Sequence, residues 1–348
     1  MKIGLIGFPL SGKTTVFNTL TGLHARVDSF HASGKEANIG LIKVPDRRVD
    51  ALSAIYEPKK TTYAEISFVD LAGISGSSGS GFDANALNLM RQVDAFTFVV
   101  RSFPGEKVSH PQGSVDPLRD IRGLEEEMQL ADLIVIEKRQ ARVEKEGKRG
   151  SAEHALLERL TGVLENGTPL REIELSAEEI KSLAGFGFLS LKPRLLLLNT
   201  GEAKVQGDPS VMEKYANAIA FCAELELQVA ELPPGEQGEF LLALGIEEPA
   251  RDKFIRAAYR MLELISFFTV GKDEVKAWTI DRGTEAVNAA GKIHSDIERG
   301  FIRAEVVGYE DFIGEPNMTR MKELGKLRLE GKTYPVADGD IINFRFNV

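Results

Sequence analysis

Gly7-Phe8-Pro9-Leu10-Ser11-Gly12-Lys13-Thr14 fits the pattern G-x-x-x-x-G-K-[ST], and its surroundings decide how the rest of the chain is read. The short apolar run Lys2-Ile3-Gly4-Leu5-Ile6 before it suits a buried parallel strand, and Thr15 to Leu20 after it is expected to be helical. A glycine-rich turn between a buried strand and a helix cradles phosphate. Its main-chain N–H groups close around the oxygens, and the helix N-terminus adds free donors and a favourable dipole. Gly7, Pro9, Leu10, Ser11, Gly12 and Thr15 form the expected cradle. Lys13 brings the positive charge for the β- and γ-phosphates and counts as a catalytic residue, and Thr14 offers a hydroxyl to Mg²⁺, which takes hard oxygen ligands. The pattern implies a nucleoside triphosphate as substrate and Mg²⁺ as cofactor.

Working outward, Asn38 to Val44, Ala64 to Val69, Ala95 to Val100 and Arg194 to Leu198 are short, rich in β-branched, aromatic or aliphatic residues, and bounded by turn or polar residues. Strands interleaved with helical stretches indicate a doubly wound α/β sheet. Between the last two strands the sequence turns helical. Asp116-Pro117 is an N-cap followed by proline, and Leu124, Met128, Ala131 and Val135 recur at helical spacing. After the polar break Gly147-Lys148-Arg149-Gly150-Ser151, a second stripe runs Ala152, Leu156, Leu160 and Val163. Two amphipathic helices joined by a polar turn predict an antiparallel hairpin inserted into the sheet domain.

From about Phe267 the texture changes to a small mixed fold: strand at Val275 to Ile280, helix at Thr284 to Arg299, strands at Ile302 to Val307, Leu327 to Leu329 and Ile341 to Val348. Ile342, Phe344, Phe346 and Val348 share one face of the last strand. One helix crossing a small sheet suggests a β-grasp, ubiquitin-like module. The expected division is a nucleotide-binding domain at 1–115 and 190–266, a helical insert at 116–189 and a β-grasp domain at 267–348.

A length of 348 residues with 43% hydrophobic and 27% charged residues is an ordinary globular balance. The net charge of −9 argues against coating nucleic acid by bulk electrostatics, and no sequence-specific DNA partner is expected. The lone Cys222 excludes an intrachain disulfide or a multi-cysteine metal site. Met1 leads directly into a strand-like segment with no signal-peptide pattern, and no apolar run approaches the roughly 20 residues that span a bilayer. The expectation is a cytoplasmic protein without a membrane partner.

Asp70-Leu71-Ala72-Gly73 closes the strand from Ala64 to Val69. On its own D-x-x-G is a common turn; beside a P-loop it makes Asp70 the Mg²⁺-holding carboxylate and Gly73 an N–H donor to the γ-phosphate. Asn199-Thr200-Gly201-Glu202 follows the strand from Arg194 to Leu198, and Cys222-Ala223-Glu224 occupies the next strand end. Ligands of open α/β sheets sit outside the carboxyl ends of the strands, which puts both segments where a nucleotide base could lie. Taken alone, both read more readily as ordinary polar loops.

Together these residues resemble the YchF branch of the Obg-related GTPases. The likeness extends through Val44-Pro45-Asp46-Arg47-Arg48-Val49-Asp50-Ala51-Leu52, Phe68-Val69-Asp70-Leu71-Ala72-Gly73-Ile74 and Val115-Asp116-Pro117-Leu118-Arg119-Asp120-Ile121. It continues in Lys276-Ala277-Trp278-Thr279-Ile280, in His294 to Val306, in Tyr309-Glu310-Asp311-Phe312 and in Asp338-Gly339-Asp340, strings similar to that family's TGS-type β-grasp domain. The resemblance implies a slow, cytoplasmic triphosphatase switch associated with ribosomes and with ATP use. It places Asn199, Thr200 and Glu202 at the base-reading positions and Cys222-Ala223-Glu224 in the last base-contacting loop, and it assigns His110 a part in hydrolysis, against the plain alternative of a surface histidine. Ile74 stands where many GTPases carry a water-orienting glutamine, and Gly34, after Ser33, stands where a Mg²⁺-binding switch threonine is usual. That departure keeps a second reading open, a nucleotide-binding scaffold with little hydrolysis. Lys138, Arg139, Arg142, Lys145, Lys148 and Arg149 near the insert's tip are either a contact for ribosomal RNA or a solvated helix face.

Overall fold

A computed structural model describes residues 1–22, 37–71, 81–104 and 109–347. The P-loop strand β1 (Lys2–Ile6) has Ile3, Leu5 and Ile6 wholly buried, as the apolar run demands. Beside it lie β2 (Asn38–Lys43), β4 (Glu65–Asp70), β5 (Ala95–Ser102), β6 (Arg194–Thr200) and β7 (Ala218–Phe221), while β3 (Lys60–Thr62) belongs elsewhere. The strand order is β2-β4-β1-β5-β6-β7. β1 pairs in parallel with β4 and β5, and β5-β6-β7 continue the parallel ladder. The chain order reverses across β1, which leaves a crevice at the carboxyl ends of the strands.

The helices in chain order are α1 (Lys13–Thr21), α2 (Arg47–Tyr56), α3 (Ala84–Arg91), α4 (Pro117–Lys145), α5 (Ala152–Glu165), α6 (Ala177–Leu183), α7 (Pro209–Lys214), α8 (Ala223–Glu231), α9 (Pro234–Ala243) and α10 (Ala250–Met261). The inserted hairpin forms as expected. The Asp116 carboxylate caps α4 by accepting from Arg119 N at 3.1 Å, and Ser151 caps α5. Leu124, Met128 and Ala131 are buried as read. The stripe of α5 is rotated by one residue from the expected one: Leu157, Leu160 and Leu164 are buried, with Leu156 and Val163 at the margin. Packing against Ile136, Leu170 and Phe188 selects the three leucines, which bury more than Ala152 and Leu156 would.

Asp132 of α4 fixes the turn into β6. It is 1% exposed, and its carboxylate accepts from Leu189 N and Ser190 N, both at 2.8 Å. Burial pushes this carboxyl up to about 6, against the lowering effect of the Ser190 and Leu189 hydrogen bonds. A group whose folded-state pKa lies above its unfolded value holds its proton more tightly when folded. Its contribution to stability is present below the ordinary 3.8 and is lost as pH rises to about 6. The expected result is a fall in thermal midpoint between about pH 4 and 6 that Asp132→Asn flattens, read by scanning fluorimetry across that range. Identical slopes for the two proteins would refute the assignment.

The second sheet has the order β11-β10-β12-β8-β9-β3, with β8 (Leu264–Thr269), β9 (Glu274–Asp281), β10 (Phe301–Gly308), β11 (Arg328–Glu330) and β12 (Asp340–Phe346). β12 runs parallel to β8 and antiparallel to β10, with a helical crossing between β9 and β10, which is the β-grasp arrangement. The helix expected over Thr284 to Arg299 breaks at His294 into α11 (Ala286–Ile293) and α12 (Ser295–Arg299), because the His294 backbone is extended and its Nδ1 accepts from Asp296 N to cap the second piece. Ile342 and Phe344 enter the core as read, whereas Phe346 is 44% exposed at the strand's end and Val348 lies outside the described residues. By contacts the chain divides into Met1–Leu41 with Ser67–Phe254, and Ile42–Ile66 with Ile255–Val348. The segment 42–66, expected in the nucleotide domain, therefore belongs to the C-terminal unit. β3 pairs in parallel with β9, and Arg48 of α2 donates to Asp338 at 2.9 Å.

Candidate functional site

The loop after β1 takes its shape from two left-handed residues, Leu10 (φ 66) and Gly12 (φ 84). Alternating hand of this kind turns successive N–H groups toward one point, an anion-binding nest. Leu10 is not glycine, so its conformation is strained, as backbone at ligand-binding loops often is. A Cβ on Gly7 would collide with Val99 O and Ser11 Oγ, and one on Gly12 with the Asn199 amide. α1 begins directly after Gly12 and has no acidic residue in its first turn, so nothing opposes its dipole. Ser11 Oγ is buried with no hydrogen-bond partner, a hydroxyl that a phosphate oxygen would satisfy.

Lys13, Thr14 and Asp70 converge. Leu5 and Asp70 are partners in the β1–β4 register, which brings the end of β4 against the start of α1. The Lys13 ammonium lies 2.6 Å from Asp70 Oδ1, and Thr14 Oγ1 donates to Asp70 Oδ2 at 3.1 Å. Lys13 and Asp70 side chains are only 6% and 3% exposed, so their charges meet in a dry setting. Among the described residues, no group of three or more His, Cys, Asp or Glu could hold a metal. The Thr14 hydroxyl and the Asp70 carboxylate are nevertheless hard oxygen donors side by side, a set that fits Mg²⁺ completed by phosphate and water. Gly73, Ile74, Ser33 and Gly34 lie outside the described residues.

On the base side, β6 is longer than the sequence reading allowed. It continues through Asn199 and Thr200, because Arg101 and Ser102 of β5 keep pairing with them. Both residues are therefore buried strand positions and not loop. Asn199 Nδ2 donates to Ser11 O at 3.0 Å, tying the end of β6 to the P-loop. Asn199 also pairs with Phe221, which sets the end of β6 beside Cys222 and Ala223 at the start of α8. Burial pushes the Cys222 thiol up, and the Glu202 and Glu224 carboxylates push it the same way. Glu202 opens a 3₁₀ turn (Glu202–Lys204), with its carboxylate accepting from Gln228 Nε2 at 3.0 Å.

His110 is neither a surface residue nor a free base. It is 7% exposed; its Nδ1 accepts from Gln112 N at 3.1 Å and its Nε2 lies 2.9 Å from Asp120 Oδ2. Asp120, in the first turn of α4, also takes Arg119 Nη2 at 2.8 Å. Nε2 thus ties the loop to α4, while Nδ1 is held within the loop's own turn. Asp120 is a participant that periodicity did not single out.

Phe103 is a second one. A side chain at Gly12 would reach its ring at 3.9 Å and one at Gly201 its Cβ at 3.5 Å, so it stands between the phosphate loop and the base segment. The guanidinium of Arg101, itself 1% exposed, lies 4.6 Å from that ring's centroid. Arg101 and Phe103 lie one and three residues past the expected strand end at Val100, and their placement follows from β5 running to Ser102.

Four of the six cations near the insert's tip find acids of their own. Arg139 pairs with Glu153 at 2.6 Å, Arg142 and Lys148 with Glu146 at 3.2 and 2.9 Å, and Arg149 with Glu144 at 3.1 Å. The tip is a mixed-charge surface, closer to the solvated face than to a basic patch.

Known proteins share this arrangement. The family of 50S ribosome-binding GTPases matches residues 2–140, and the YchF-GTPase C-terminal family, described as a protein of unknown function, matches residues 264–347. A relative from Bacillus subtilis, described as ribosome-binding ATPase YchF, is 41% identical over 365 residues, covering 100% of both chains. One of the same description from Escherichia coli O157:H7 is 41% identical over 360 residues, covering 100% of this chain and 99% of that one. The structure of the Schizosaccharomyces pombe YchF GTPase superposes with a TM-score of 0.87 at 29% identity, over 99% of this chain and 97% of that one. With a P-loop sheet, an inserted helical hairpin and a C-terminal β-grasp sheet matched end to end, the chain belongs to the YchF family.

Proposed function

We propose that this chain is a slow, Mg²⁺-dependent triphosphatase that prefers ATP and works in the cytoplasm in association with the ribosome. The observation that carries the chemistry is the Lys13–Asp70–Thr14 cluster at the end of β4 and the start of α1. Hydrolysis transfers the γ-phosphoryl to water and breaks its bond to the β-phosphate oxygen, so negative charge moves onto the β–γ bridge. Lys13 offsets that charge, and the nest from Leu10 to Gly12 orients the phosphates. Mg²⁺, held by Thr14 with Asp70, would supply further charge neutralisation on the same oxygens. No described helix is long and apolar enough to cross a membrane. The ribosomal partner follows the description of the full-length relatives.

The scaffold reading, in which nucleotide stabilises the protein and little is hydrolysed, is favoured by one observation: His110 presents no unengaged nitrogen to water. Phosphate release measured with and without ribosomes separates the two. A switch shows ribosome-dependent turnover; a scaffold shows none in either condition. In the same assay His110→Ala is expected to lower kcat at least about tenfold with nucleotide affinity kept, if the ring leaves Asp120 to serve the transition state. Full turnover in that variant would leave His110 as an anchor of the loop.

A further inference from the structure

We propose that Gln228 sets the base preference of the site by holding the Glu202 carboxylate away from the base. This inference rests on the reading of Glu202 as a base-side residue. A guanine-reading carboxylate must be presented at the strand end, where it accepts from the ring N1–H and the exocyclic 2-amino group. Here Glu202 leans the other way. Its Oε1 accepts from Gln228 Nε2 at 3.0 Å, and Gln228 stands on α8, more than a turn beyond the Cys222 loop.

The surroundings reinforce that orientation. Glu202 and Gln228 share a cleft of about 240 Å³ whose other walls are Val205, Leu225, Phe240 and Leu244. Both side chains are exposed at the rim of that cleft, and the hydrogen bond between them keeps the carboxylate on the α8 side. Glu224, in the first turn of α8, is a like charge sharing its influence on the Cys222 thiol with Glu202, so swinging the carboxylate toward Cys222 is opposed. The extra methylene of glutamate lets it reach α8, so length and partner act together. Gln228 is a positioning residue: it touches no nucleotide and acts through Glu202.

The test is competition titration of ATP against GTP on the full-length chain. Gln228→Leu releases the carboxylate and is expected to raise GTP affinity relative to ATP about three- to tenfold, the size of one partly exposed hydrogen bond to a charged group. Gln228→Lys keeps a donor there and is expected to retain the wild-type ratio. This split between variants is one that a loss of packing on α8 would not produce. An unchanged ratio in Gln228→Leu alongside a shifted one in Glu202→Ala overturns the role of Gln228. An unchanged ratio in both overturns the placement of Glu202 at the base, and the inference falls with it.

Discussion

Lys13→Ala is expected to abolish triphosphate binding, with a loss of affinity of at least about a thousandfold in calorimetry. Two effects add. The ammonium's own hydrogen bonds to phosphate are worth about 1.5–3 kcal/mol as charge-assisted contacts. Its removal also leaves Asp70, at 3% side-chain exposure, as an uncompensated carboxylate facing the incoming phosphates. Breaking a buried ion pair from one side costs about 3–5 kcal/mol, so the variant should also melt earlier without nucleotide. Pairing it with Asp70→Asn should restore the melting temperature but not the binding, which separates the site's chemistry from its packing. Unchanged nucleotide affinity in Lys13→Ala would refute the phosphate cradle.

The second large effect concerns the base. Wild-type protein is expected to bind ATP at least as tightly as GTP, and Glu202→Asp with Thr200→Lys to shift the ratio toward GTP by at least about tenfold. Guanine recognition needs a short carboxylate at the strand end and a long stem over the ring. Aspartate at 202 falls short of Gln228 and stays with the strand, which supplies the first. Thr200 is 3% exposed and short, so it offers no stem to lie along a base. A lysine there must reach outward from a buried position, which makes Glu202→Asp alone the milder arm of the same titration. Competition curves in which GTP displaces ATP from the wild type at much lower concentration would overturn the ATP assignment.

What could be read from the sequence was what is local. Gly7 to Thr15 dictates its own turn, because left-handed positions, a helix start and a phosphate charge all fall within nine consecutive residues of one pattern. Asp70 was legible because D-x-x-G follows a short strand in a chain that already carries a P-loop. The helical hairpin was legible from periodicity and caps, though which leucines of α5 face inward was decided by Ile136, Leu170 and Phe188, distant in sequence. Where β5 and β6 end depends on each other, so Phe103, Arg101 and the strand positions of Asn199 and Thr200 emerged only from their pairing. His110 could be singled out only by likeness, and its bond to Asp120 bridges a loop that carries no pattern. Lys60-Thr61-Thr62 carries β-branched residues but is too short and polar to stand out as a strand, and it becomes one because β9 offers it an edge.

That edge has a consequence for how the chain acquires its shape during synthesis. Thr62 and its partner Glu274 are 212 residues apart. At typical elongation rates, roughly 10–40 s pass between their appearances. Over that interval α2 and β3 are out of the tunnel with no sheet to join, while the P-loop strands that flank them already have their neighbours. The nucleotide sheet must therefore close around an unfinished excursion that settles only after residue 255 emerges. A chain shortened before β9 would carry the same loose segment permanently. Arrest or truncation after residue 254 but before β9 should then yield a polypeptide with an assembled phosphate loop and a protease-sensitive stretch at 42–66, the opposite of the usual pattern in which damage at the C-terminus stays there.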